Sequence, residues 1–70
     1  MIRNHLRLAR DAAGLTQAEL AATLGVSRQT VISLEQGRYL PSLELALRLA
    51  RQFEQRVEDL FELIDVELPD

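Results

Sequence analysis

Two short runs of helical periodicity with a single glycine between them, TQAELAATLGVSRQTVISLEQ (residues 16–36), leave this chain few ways to fold. Thr16 stands before the first run and Glu19 follows three residues later, so the pair can satisfy two otherwise orphaned helix amides as a capping box. Leu20, Ala21 and Leu24 recur on one face, and Gly25 can turn the chain at positive φ without a Cβ clash. After Val26, Ser27 offers a second N-cap oxygen. Val31, Ile32 and Leu34 supply the buried side of the second helix, and Gly37 closes it. Two helices that meet steeply across so short a turn need a small side chain where they touch, and Ala21 is that side chain, with Val26 and Val31 plugging the angle.

The same spacing leaves Ser27, Arg28, Gln29, Thr30 and Ser33 on the open face, as short or hydrogen-bonding groups suited to bases and phosphates. In this stretch the chain resembles the Cro/cI-type (Xre) helix-turn-helix family: Gln17, Ala21, Gly25 and Val31 stand where its pattern has Gln, Ala, Gly and Val or Ile. The resemblance continues through LRLARDAAGLTQAELA at the start and RYLPSLELALRLARQF and VEDLFE at the end, nearly the whole chain. Its nearest look is to very short regulators of the cytolysin-repressor kind. That likeness implies an all-α, compact five-helix Cro/cI-like domain with a short C-terminal β-strand in a small antiparallel sheet, working as a homodimer. It also implies an ion pair between Arg10 of the first helix and Glu35 of the recognition helix. The chain departs from familiar members at Gln36 and Tyr39-Leu40, where their loop often carries asparagines.

Seventy residues allow one domain, expected over residues 1–70 with the helix-turn-helix at 16–36 and a dimerisation and strand region near 53–68; a domain this small buries only about 60% of its unfolded surface. No run of about 18 apolar residues is present to cross a bilayer. Arg3, Asn4, His5, Arg7 and Arg10 interrupt every apolar run at the start, so no signal-peptide pattern is read and a cytoplasmic, nucleoid-associated place of the bacterial or phage type is expected. With no cysteine, disulfides and thiolate chemistry are excluded. The net charge of −3 argues against a polyanionic partner until its distribution is read. Residues 1–40 carry five arginines against Asp11, Glu19 and Glu35, or +2, while residues 41–70 carry three arginines against eight acids, or −5. A basic motif half with an acidic remainder can orient on DNA while limiting non-specific adhesion.

Along the chain, Leu6, Ala9 and Ala13 recur at helical steps in a first helix that the periodicity opens from Ile2, and Gly14 ends it. Leu15 can staple onto the next helix beside Glu19 and Leu20. His5 has no second histidine to join it in binding a metal and is expected at the surface; no metal and no cofactor are expected. Ser42 caps a fourth helix through Leu43, Leu45, Ala46, Leu47, Leu49, Ala50 and Phe53, whose apolar arc is too wide for one buried stripe. A fifth helical element lies near Val57 to Phe61, with Glu58 and Asp59 favourably placed in its first turn. Ile64, Val66 and Leu68 then alternate with Asp65 and Glu67 as a half-buried strand does, paired either with the extended residues around Ile2 or with a second subunit.

Catalysis finds no support, because the single histidine and the solvated Glu58, Asp59 and Glu62 have no concave apolar wall to set their pKa values apart. The function read from the sequence is a sequence-specific, double-stranded DNA-binding transcriptional repressor acting on a two-fold operator. The alternative is an antitoxin or other protein-interaction module on the same fold, whose partner protein the residues do not name. For DNA, Arg28 and Gln29 are the expected major-groove readers, arginine suiting guanine and glutamine adenine, with Ser33 a shorter third. Gln17, Ser27, Thr30, Arg38 and Tyr39 are expected at phosphates. One such domain contacts few base pairs, so tight binding needs two copies; Phe53, Leu60, Phe61, Ile64, Val66 and Leu68 are expected to face the two-fold mate.

Overall fold

The computed structural model describes residues 1–64. Its elements run β1 (Ile2–Asn4), α1 (Leu6–Ala12), α2 (Gln17–Leu24), α3 (Arg28–Glu35), α4 (Leu43–Phe53), α5 (Val57–Leu60) and β2 (Phe61–Leu63). The helix starts follow the capping chemistry of the sequence. Thr16 accepts from the Glu19 amide at 3.0 Å while the Glu19 carboxylate accepts from the Thr16 amide at 2.9 Å, and that backbone bond holds the Glu19 carboxyl below its ordinary pKa. Ser27 and Ser42 cap α3 and α4 in the same way, accepting from Thr30 and Leu45. Gly25 takes φ +72°, and the Val26 amide returns to the Ala21 carbonyl, so α2 closes and the chain is redirected within two residues.

One apolar cluster holds the five helices. Leu6 and Ala9 of α1, Leu20, Ala21 and Leu24 of α2, Val31 and Leu34 of α3, Leu45, Leu49 and Ala50 of α4, and Leu60 of α5 are buried together, with Leu15, Val26, Phe53, Val57 and Phe61 packed against them. Ala21 is buried in this cluster at 4% exposure, as a small residue at the close approach of α2 and α3 must be.

Three expectations change: the start of the first helix, the place of Ala13 and the start of the C-terminal strand; of the two expected pairings for that strand, the one with the residues around Ile2 is the one formed. The first helix begins at Leu6 rather than Ile2, because Ile2–Asn4 is spent on a strand, and Ala13 is an exposed C-cap rather than a core residue. The strand of the C-terminal region begins at Phe61, so α5 ends at Leu60 and Phe61 is not helical. That strand pairs antiparallel with β1 of the same chain, Ile2 opposite Leu63, Arg3 opposite Glu62 and Asn4 opposite Phe61. The pairing extends on both sides: the His5 amide donates to the Leu60 carbonyl at 2.8 Å and the Ile64 amide to the Met1 carbonyl at 2.9 Å. Val66 and Leu68, expected in the strand, lie outside the described residues. A periodicity reading favours helix for Ile2 because three residues are too few to show the alternation of a strand.

Candidate nucleic-acid interface

The N-terminal turns of α2 and α3 open on one side of the molecule, and a partly buried ion pair fixes how they stand to one another. Arg10 of α1 donates from Nε to Glu35 of α3 at 2.6 Å and from a terminal nitrogen at 3.2 Å, a two-pronged contact between planar groups. The third arm of Arg10 donates to the Leu15 carbonyl at 2.8 Å, so the connection into α2 is held by the same guanidinium. The hydrogen bonds to Glu35 raise the Arg10 pKa above its already high ordinary value, which keeps this cation charged throughout.

Glu35 also accepts a hydrogen bond from the side-chain nitrogen of Gln17, the first residue of α2, at 3.2 Å. Gln17 in turn offers its oxygen to an Arg28 terminal nitrogen at 3.5 Å, the long limit of a hydrogen bond. Arg28 is therefore steered rather than clamped and keeps its donors for another acceptor. Ser27 and Thr30 face each other, their hydroxyls 2.9 Å apart, while the Ser27 oxygen caps the Thr30 amide at 3.1 Å. Gln29 is exposed beside Arg28, and Ser33 is half-buried one turn further on. Arg38 and Tyr39 are exposed beyond Gly37, and the Arg38 amide closes the end of α3 on the Ser33 carbonyl at 3.0 Å.

Ile32 departs from its expected place. It is half-buried and lines an open groove with Arg7, Arg10, Gln17, Arg28 and Glu35 rather than joining the core. At about 3.6 residues per turn Ile32 points about 100° away from Val31 and about 160° from Leu34, so it leaves the inward stripe and lies along the helix between Arg28 and Glu35. The groove also admits Arg7, which sequence reasoning assigned no role and which pairs with Asp11 at 3.8 Å. Asn4 is the larger omission. Its side-chain nitrogen donates to the Leu34 carbonyl at 2.9 Å and its oxygen accepts from the Leu6 amide at 3.3 Å, so one asparagine ties β1 to the start of α1 and the end of α3. No local pattern announces a contact across thirty residues; only an Asn just before a helix start was available as a signal.

The residues expected at a dimer face divide. Leu60 is fully buried by its own chain, which removes it from any surface a second copy could reach. Phe53 and Phe61 are half-buried against the core, Ile64 is half-buried beside Met1, and Val66 and Leu68 lie outside the described residues. Among the described residues no group of histidine and acidic side chains has the arrangement of a metal site, and no helix is long and apolar enough to cross a membrane.

The chain matches the helix-turn-helix family over residues 6–65. It is 49% identical over 67 residues to an uncharacterized HTH-type transcriptional regulator of Archaeoglobus fulgidus, covering 96% of each chain. It is 53% identical over 62 residues to another of Methanothermobacter thermautotrophicus, covering 87% of this chain and 84% of that one. A third, from Bacillus subtilis, is 42% identical over 60 residues, covering 86% of this chain and 91% of its own.

Proposed function

Because this chain belongs to the Cro/cI-type helix-turn-helix family, a class of DNA-binding transcriptional regulators and not of enzymes, we propose that it is a sequence-specific repressor that binds a two-fold operator as a homodimer. The observation that carries the reading is the first turn of α3: Arg28 and Gln29 stand exposed side by side on a capped helix end, beside the N-terminus of α2, on a body stiffened by the Arg10–Glu35 pair. In the major groove Arg28 reads guanine and Gln29 adenine, each through two hydrogen bonds, and Ser33 reads one turn later. Gln17, Ser27, Thr30, Arg38 and Tyr39 hold phosphates and set the register. Two such units on one face of the duplex place their recognition helices about 34 Å apart.

Binding-site selection on the parent and on Gln29→Ala tests the assignment. The variant relaxes preference at one base pair of each half-site, at a cost of roughly 1 to 3 kcal/mol. Arg38→Ala weakens every duplex alike and reduces the salt slope by about one. Unchanged base preferences in Gln29→Ala would show that α3 does not read the groove. A chain that recognises only protein, as an antitoxin can, would show no salt-sensitive affinity for any duplex.

A further inference from the structure

The outward side of α4 carries apolar surface that its own chain leaves open, beside charges arranged to complement a copy of themselves. Leu45, Ala46, Leu49 and Ala50 face the core, while Leu43 and Leu47, one helical turn apart, are 73% and 53% exposed, and Leu40 in the preceding loop is 66% exposed. Glu44 lies in the first turn of this helix, and Arg48 and Arg51 lie toward its far end. With Leu47 these three line one shallow cleft. Glu44 and Arg48 stand four positions apart, yet among the described residues Glu44, Arg48 and Arg51 take part in no ion pair.

We infer that this face is the contact between two copies of the chain, made by their α4 helices packed antiparallel about a two-fold axis near Leu47. The inference rests on the homodimeric reading above and specifies its surface. A two-fold contact uses the same patch twice, so an antiparallel pair lays the first turn of each helix along the last turns of the other. Glu44 of one copy then lies beside the Arg48 to Arg51 stretch of the second copy, and the symmetry repeats the match on the other side of the axis. A parallel pair would set Glu44 against Glu44 and arginine against arginine, which is repulsive. The leucines form a dry centre and the charges a rim that selects the register, the division of labour seen in paired helices generally. Elsewhere Leu60 is wholly buried and Phe53 and Phe61 already pack on the core, while the sheet leaves Ile2 and Leu63 exposed but its charges, Arg3 and Glu62, already face each other and carry no free pattern to select a register.

Sedimentation of the full chain without DNA, over a range of concentrations, tests the face. The parent dimerises. Leu47→Arg, Glu44→Arg and the double variant Arg48→Glu/Arg51→Glu each weaken self-association by roughly tenfold or more with an unchanged circular dichroism spectrum, since all four side chains are exposed. Mixing Glu44→Arg with Arg48→Glu/Arg51→Glu restores a dimer, because each copy then meets opposite charge on both sides of the axis. Pairing within one helix cannot produce that rescue. Variants that dimerise as tightly as the parent, or a mixture that stays monomeric, would overturn the α4 face while leaving the homodimer reading intact. A parent that stays monomeric both free and on a two-fold operator would overturn the homodimer reading itself, and the α4 contact with it.

Discussion

Arg10 and Glu35 have side chains 11% and 6% exposed, so neither charge can return fully to water when the other is removed. Glu35→Ala therefore leaves a partly buried guanidinium with only Asp11 and the Leu15 carbonyl beside it, and should cost roughly 1 to 3 kcal/mol in urea denaturation. Replacing the pair together, Arg10→Met with Glu35→Leu, should cost much less, because two apolar side chains of similar size remove the desolvation penalty along with the attraction. An equal loss in the double variant would show that the pair itself is strongly stabilising. Operator affinity separates structure from function here: the double variant keeps the fold but loses the acceptor that anchors Gln17, and so should bind less tightly than its stability alone explains. The residue's worth lies in where it holds α2 against α3.

The helix-turn-helix depends on one close crossing and several chain reversals. Ala21→Leu adds methylenes where α2 meets α3 and should cost about 1 to 3 kcal/mol or more, read as a lowered denaturation midpoint and lost DNA binding. A folded, operator-binding Ala21→Leu protein would contradict the geometry. The reversal after α4 is made differently from the others: Glu54 occupies the left-handed region at φ +53°, where glycine is the residue without a Cβ penalty. Glu54→Gly relieves that strain but gives the unfolded chain more freedom, so a net stabilisation of about 0.5 to 1 kcal/mol is expected in thermal or urea unfolding. No change would mean that the entropy of the added glycine offsets the strain entirely.

Across the whole molecule, the two-stranded sheet joins regions almost sixty residues apart in sequence and closes the helices into one body. The bonds at His5–Leu60 and Met1–Ile64 place Arg3 opposite Glu62 at a hydrogen-bonded position of the ladder. Their side chains, 3.9 Å apart and exposed, add little. Arg3→Pro deletes a ladder donor from a sheet too small to stand alone, so amide exchange at His5 and Ile64 should accelerate while the helical dichroism persists. Retained protection at both amides would show that the sheet is held by its side chains and not by its ladder. The same body brings Arg7, Arg10 and Arg28 to one groove beside α3, where they outnumber Asp11 and Glu35 although the whole chain carries a net charge of −3.

The sequence by itself determined the capped ends of α2, α3 and α4, the glycine turn between α2 and α3, and the exposure of Arg28 and Gln29. Each of these depends on residues within four positions of one another, where hydrogen-bond reach and helical period act directly. The family's pattern added the long-range Arg10–Glu35 pair, which spacing alone does not contain. The tertiary structure decided what lies between distant segments. It chose between the helical and the extended readings of Ile2–Asn4 by offering Phe61–Leu63 as a partner, and it left Ile32 half-buried at the groove while Val31 and Leu34 took the core. It also gave Asn4 a clasp on α3 and buried Leu60 beyond reach of a second copy. A three-residue strand has too little periodicity to declare itself, and a side chain's burial depends on which neighbours arrive to cover it, so these features exist only once the chain has closed.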